Sequence, residues 1–118
     1  MRNFGCLIPL LLCVVTLPAQ VSYERLLNAE TEPGNWLTYS GTYQSNHYSK
    51  LDEIGRENVG DVELKWVFQA GTTDKFQATP LVVDGVMYLT EASNDVVALD
   101  AKTGRVFWRF EHNLPEGI

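Results

Sequence analysis

The stretch Ala98-Leu99-Asp100-Ala101-Lys102-Thr103-Gly104-Arg105-Val106-Phe107-Trp108 constrains the fold more than any other part of this chain. It reads as strand, tight turn, strand. Alternation of Val97 and Leu99, and then of Val106, Trp108 and Phe110, predicts one apolar face on each strand. Asp100 is placed to accept a hydrogen bond from the backbone ahead of it, and Gly104 offers the positive φ that such a turn needs. A similar aromatic pentad, Leu64-Lys65-Trp66-Val67-Phe68, precedes it, and the two tryptophans stand 42 residues apart.

Strand signals crowd the second half of the chain. Residues 62–69, 79–83, 86–90, 95–99 and 105–111 all read as strands. Asp84-Gly85 joins two of them, and a two-residue Asp-Gly connection is the strongest short hairpin signal. A turn at Ala92-Ser93-Asn94 joins the next pair. Residues 79–111 therefore make a four-stranded antiparallel meander, and the tryptophan spacing falls in the range of roughly 40–50 residues that separates propeller blades. Residues 113–118, with Pro115 and Gly117, read as a connection leading onward. The first half is less regular. Tyr23, Leu26 and Leu27 fall at helical spacing behind Ser22, a natural cap, which predicts a short amphipathic helix to about Ala29. Residues 31–35 are a loop, 36–51 an irregular segment packed by its aromatics, and Leu51 and Ile54 seat a single helical turn ahead of Asn58.

The start of the chain reads as a leader rather than as fold. Arg2 gives a short basic start, 6–17 is nearly all apolar, and Pro18-Ala19-Gln20 offers a small residue for cleavage after Ala19, with Ser22 as the second choice. The apolar run is shorter than the roughly 20 residues of a spanning helix, so export is preferred to a membrane anchor. Both cysteines, Cys6 and Cys13, lie in this leader, and the mature part has no thiol chemistry. Without Arg2, 8 basic side chains face 15 acidic ones. An acidic chain lacking a Lys/Arg cluster is a poor partner for nucleic acid. About a hundred residues remain, enough for one domain. Four or five strands with open edges and little covering helix make a poor independent fold, and the chain is expected to be the beginning of a longer protein.

Ala98-x-Asp100-x-x-Thr103-Gly104-x-x-x-Trp108 resembles the tryptophan-docking motif of pyrroloquinoline quinone (PQQ)-dependent alcohol dehydrogenases, in which the motif's tryptophan packs between neighbouring blades. Three further stretches are similar to the N-terminus of the same family. They are Trp36-Leu37-x-Tyr39-x-Gly41 with Tyr48-Ser49-x-Leu51-x-x-Ile54, then Asn58-Val59-x-x-Val62-x-Leu64-x-Trp66, then Thr79-Pro80-Leu81-Val82-Val83-Asp84-Gly85-Val86-Met87-Tyr88. The resemblance implies an all-β fold: the first blade plus closing strand of an eight-bladed β-propeller, preceded by a signal peptide (1–19) and a helix with an irregular segment (20–61). The propeller part would occupy 62–118, with 62–69 completing the last blade. It also implies a periplasmic enzyme that holds PQQ with a calcium or lanthanide ion, oxidises a small alcohol by means of an aspartate base, and passes electrons to a cytochrome c.

One cofactor contact implied by the resemblance falls within this chain. The family carries a glutamate just before the Thr-Pro-Leu-Val-Val strand; here Phe76-Gln77-Ala78-Thr79-Pro80 puts Gln77 there. An amide accepts and donates hydrogen bonds but carries no charge. A plain polar residue opening a strand is the alternative. His47 is a second departure, at a position where the family has arginine. The family's vicinal cysteines, metal ligands, aspartate base and stacking tryptophan would all follow Ile118, so no catalytic or metal-binding residue is expected here. His47 and His112 are isolated, Asp84 and Asp100 are turn formers, and Trp36, Trp66 and Trp108 read as packing residues. The 118 residues alone are expected to be inactive and poorly folded. A non-catalytic propeller that scaffolds an assembly is the competing reading, compatible with an uncharged residue at 77.

Overall fold

A computed structural model of the chain describes residues 21–71, 75–92 and 94–112. The leader at 1–19, Ser93 of the predicted turn and the connection at 113–118 lie outside the described residues.

Four strands, β1 (Leu81–Val83), β2 (Val86–Thr90), β3 (Val96–Asp100) and β4 (Val106–Phe110), form one antiparallel sheet in sequential order. Val83 pairs with Val86 around Asp84 (φ 50°) and Gly85 (φ 79°). Two successive left-handed residues are what a two-residue type I′ hairpin demands, and Asp-Gly supplies them at little strain. β1 begins at Leu81 and not at Thr79; Pro80 just ahead of it has no N–H to offer the outer edge, the side on which Val82 bonds Trp36.

The turn between β3 and β4 is built on Asp100. Its N–H donates to the Arg105 carbonyl at 2.8 Å, its carbonyl accepts from Gly104 at 2.8 Å, and its Oδ1 accepts the Lys102 N–H at 2.9 Å. Register then shifts by one residue. Ala98 pairs with Trp108 but Leu99 pairs with Val106, which leaves Phe107 as the extra residue of a bulge. This corrects the alternation expected from sequence: Val106 and Trp108 lie on opposite faces, because one inserted residue inverts every side chain beyond it.

Each face of the sheet has its own cover. On one, Leu89, Val97 and Leu99 form the core with Met87 beside them, and Phe68 packs over it. Val97 and Leu99 are fully shielded, a burial that stabilises by about 1.5–3 kcal/mol apiece. On the other, Val83 and Tyr88 meet Ala29, Leu37, Leu26 and Val21 from the N-terminal segment. Ala98, also fully buried, lies between Tyr88 and Trp108 on the paired strands, whose ring centroids are 6.1 Å apart.

That N-terminal segment opens with α1 (Tyr23–Leu27), where the Ser22 hydroxyl accepts the Arg25 N–H at 3.2 Å as the capping pattern predicts. Leu26 turns inward, while Tyr23 and Leu27 are exposed. A 3-10 turn (Ala29–Thr31) follows, and Trp36 then exchanges two backbone hydrogen bonds with Val82, at 2.8 and 3.0 Å. This bridge covers part of the open edge of β1. The helical turn expected at Leu51 and Ile54 lies later, at Val59–Asp61. Asn58 explains the shift: its side chain accepts from the Gly55 N–H and donates to the Glu53 carbonyl, organising the chain just before that turn.

Residues 62–69, expected as a strand, have no ladder partner among the described residues. The segment packs face-on instead of edge-on. Phe68 rests on the core, the Trp66 ring lies against Gly104, and Leu64, the remaining member of the alternation, is 81% exposed. Alternation selects a face; the hydrogen-bonding edge must come from a neighbouring strand, and none is offered to it here.

Candidate functional site

The meander gives the sheet two chemically different ends. β1 and β3 run toward one end, β2 and β4 away from it. At that end sit Asp84 and Asp100, both occupied with turn geometry. The Lys102 backbone N–H and the Thr103 side chain hold the Asp100 carboxyl below its ordinary value. Beside them Arg25 forms a clasp. Its guanidinium donates to Glu32 at 2.9 Å and to Asp84 at 2.9 Å, while Asn35 donates to Glu32 at 2.7 Å and accepts the Asp84 N–H at 2.8 Å. The hydrogen bonds it donates to Asp84 and then to Glu32 push the Arg25 pKa up, and the bond from Arg25 pulls the Glu32 carboxyl down. Every one of these groups is satisfied by another, so this end is a fastening.

The opposite end gathers Gln77, Glu91, Asp95, Arg109 and His112. Gln77 is exposed just ahead of β1 and makes no hydrogen bond among the described residues. Its carboxamide therefore has both donor and acceptor free. Glu91 closes β2 with a side chain only 3% exposed and forms an ion pair with Arg109 of β4. Asp95 accepts the His112 N–H at 2.8 Å. Sequence reasoning singled out Gln77 and missed Glu91 and Arg109. The signal was the spacing Leu89-x-Glu91, which carries the buried face of β2 one step beyond the strand.

The other residues considered in the sequence do not join this end. His47 is exposed, with a positive φ of 48° and an edge-on contact to Tyr39. Trp66 and Trp36 are half-buried, whereas Trp108 remains 47% exposed. Among the described residues no three His, Cys, Asp or Glu side chains converge as a metal site, and no helix is long and apolar enough to cross a membrane. A cleft of about 140 Å³ lies elsewhere, lined by Glu30, Trp36, Thr42, Asn46, Tyr48 and Lys50, with Lys50 paired to Glu30 at 2.7 Å.

A four-stranded antiparallel meander of this kind has known counterparts. The family model for PQQ proteins, described as the glucose/ethanol/alcohol dehydrogenase beta-propeller domain, matches residues 36–117. The chain belongs to this family. Over 95 residues this PQQ propeller chain is 42% identical to the dehydrogenase subunit of a quinone-type alcohol dehydrogenase from Gluconacetobacter polyoxogenes, covering 80% of this chain and 13% of that subunit. The structure of the quinohemoprotein alcohol dehydrogenase ADHIIG from Pseudomonas putida superposes with a TM-score of 0.74 at 42% identity, over 77% of this chain and 13% of that one. The quinohemoprotein alcohol dehydrogenase of Comamonas testosteroni gives 0.72 at 35% identity, over 80% and 14%. The chain thus spans about 13% of the length of the curated relatives it matches. The described sheet is part of a PQQ β-propeller domain.

Proposed function

We propose that this chain is the N-terminal part of a periplasmic PQQ-dependent dehydrogenase that oxidises alcohols and passes electrons to a cytochrome c. The observation that carries the reading is the family match over 36–117, which includes the unpaired Gln77 at the head of β1. The exposed carboxamide, free of internal hydrogen bonds, fits one polar contact to a quinone cofactor. Bound PQQ supplies the electrophilic quinone that takes up electrons from the alcohol, with a calcium or lanthanide ion as Lewis acid. Gln77 binds and orients; it carries no charge and moves no proton. No metal ligand set accompanies it among the described residues, and the 118 residues assayed alone are expected to show no turnover.

The test uses the full-length protein reconstituted with PQQ and calcium or a lanthanide. Dye reduction by simple alcohols, with quinone absorbance retained after gel filtration, is the expected result. Gln77→Ala should weaken PQQ about fivefold, the loss of one hydrogen bond worth about 1 kcal/mol. A protein that neither reduces dye nor retains the quinone is instead a propeller scaffold, a reading with which the uncharged residue at 77 is also compatible.

A further inference from the structure

The cleft among residues 29–50 has no task in the fold or in the proposed cofactor contact. One continuous segment lines it, so its shape belongs to this chain and not to a junction with another. Its apolar wall is the Trp36 indole, with Ala29 and Pro33 also in the lining. That ring is held in place. Trp36 exchanges two backbone hydrogen bonds with Val82 of β1, and its Nε1–H donates to the Tyr39 carbonyl at 3.3 Å. Gly41, at φ +83°, lies so close that an added Cβ would come 3.0 Å from ring atoms Cη2 and Cζ3.

The polar part of the lining keeps hydrogen-bonding capacity in reserve. Lys50 donates to Glu30 Oε2 at 2.7 Å, which leaves its other ammonium hydrogens and Glu30 Oε1 without a partner among the described residues. Both side chains of the pair are half-exposed. The Asn46 carboxamide and the Tyr48 hydroxyl make no hydrogen bond among the described residues. Glu30 and Lys50 are the charged residues of the lining and they cancel, so the cleft selects neither an anion nor a cation. Its volume of about 140 Å³ is close to the roughly 150 Å³ that takes up a six-membered ring such as benzene. A ring with an apolar face suits Trp36, and hydroxyls on its rim suit the remainder, because each both donates and accepts. A carboxylate beside an ammonium offers those two functions side by side. An open-chain polyol lacks the flat face, and a bare hydrocarbon ring would bury the polar groups unpaired.

We propose that this cleft binds one polyhydroxylated six-membered ring, a pyranose sugar or a cyclitol, with Trp36 against its apolar face and Glu30, Lys50, Asn46 and Tyr48 on its hydroxyls. The assignment does not draw on Gln77. It is tested on the full-length protein with PQQ bound and the electron acceptor withheld, so that no turnover consumes the ligand. Glucose and myo-inositol are titrated by calorimetry, and saturation-transfer NMR follows their ring protons. At least one of the two should bind saturably with a Kd of about a millimolar, and sorbitol, which is open-chain, at least about tenfold more weakly. Asn46→Ala and Tyr48→Phe, at exposed positions, should each weaken binding about fivefold, the loss of one hydrogen bond. Trp36→Leu should remove the saturation transfer; thermal unfolding checks its fold, and the two exposed variants carry the test if it does not fold. Absence of saturation for both rings at about ten times that concentration overturns the assignment, as does sorbitol binding as tightly as the rings. Binding that Asn46→Ala and Tyr48→Phe both leave unchanged lies elsewhere in the protein and overturns it too.

Discussion

Replacing Gly104 tests whether the 62–69 segment is seated on the sheet as described. Gly104 has φ +72°, and a Cβ added there would lie 2.6 Å from Trp66 Cε3, 2.7 Å from Cδ2 and 3.0 Å from Cγ. Those atoms belong to the rigid middle of the indole, so the ring must turn or the β3–β4 turn must shift. Alanine meets two penalties: about 1–2 kcal/mol for the left-handed backbone and about 1–3 kcal/mol for overpacking. Together they come to about 2–5 kcal/mol, a large part of the roughly 5–15 kcal/mol that holds a domain folded. Asparagine separates them, because it tolerates the left-handed region but still carries a Cβ. Amide exchange by mass spectrometry on the full-length protein reads the effect at Gly104 and Asp100, whose N–H groups close the turn at 2.8 Å each. Opening should rise by roughly thirtyfold or more for Gly104→Ala, and by about five- to a hundredfold for Gly104→Asn. If Gly104→Asn exchanges like the parent protein, Trp66 does not rest on this turn, and the account of how 62–69 covers the sheet fails.

Two further expectations concern the fastening at the same end of the sheet. Arg25→Met should free α1 from the β1–β2 turn, raising exchange and proteolysis across 21–32 while leaving β3 protected; equal loss in both regions would mean that the clasp is not local. Acid should loosen the chain in a defined order of cause: Glu32 and Asp100 both have folded-state pKa values below their ordinary 4.5 and 3.8, so their contribution is complete above those values and is lost as pH falls through the lower folded ones. Exchange at the 100–104 turn, followed from pH 6 to about pH 2, should therefore quicken relative to the intrinsic rate only below pH about 4, and a flat profile would contradict the Asp100 hydrogen bonds.

The parts of the fold legible in the sequence are those that a few adjacent residues decide. Asp84-Gly85 and Gly104 announce their turns because left-handed backbone is chemically selective, and Ser22 announces α1 because a capping hydroxyl serves the N–H three residues on. The bulge was hidden by its own composition. Val106, Phe107 and Trp108 are all apolar, so an inserted residue leaves no break in the pattern that a reader could count. Alternation in 62–69 reports which side of the segment is apolar, as Phe68 on the core bears out, but says nothing of where a partner edge lies; the resemblance implied an edge in the last blade, outside this sheet. Glu91 reads as a solvated residue after a strand, and only the position of Arg109, two strands away, makes its burial tolerable. The Arg25 clasp joins residues 59 apart, beyond any local pattern.

Gln77 became visible only through resemblance, since nothing in the strand pattern distinguishes it from any polar residue at a strand head. The tryptophans show how a local motif gains meaning once one contact is in view. Trp66 and Trp108 sit in similar pentads, yet Trp66 lies on the glycine of a turn in the adjoining sheet while Trp108 touches Tyr88 and stays 47% exposed. The first contact defines what such a ring takes as its seat: a turn glycine at left-handed φ, where the missing Cβ leaves a flat landing for an indole. Trp108 occupies the same place in its own repeat and has no such seat among the described residues. Exposing that much of a large aromatic is unfavourable for a sheet on its own, and a neighbouring sheet that brings a glycine turn relieves it, so the unit that is stable is the stack and not the blade.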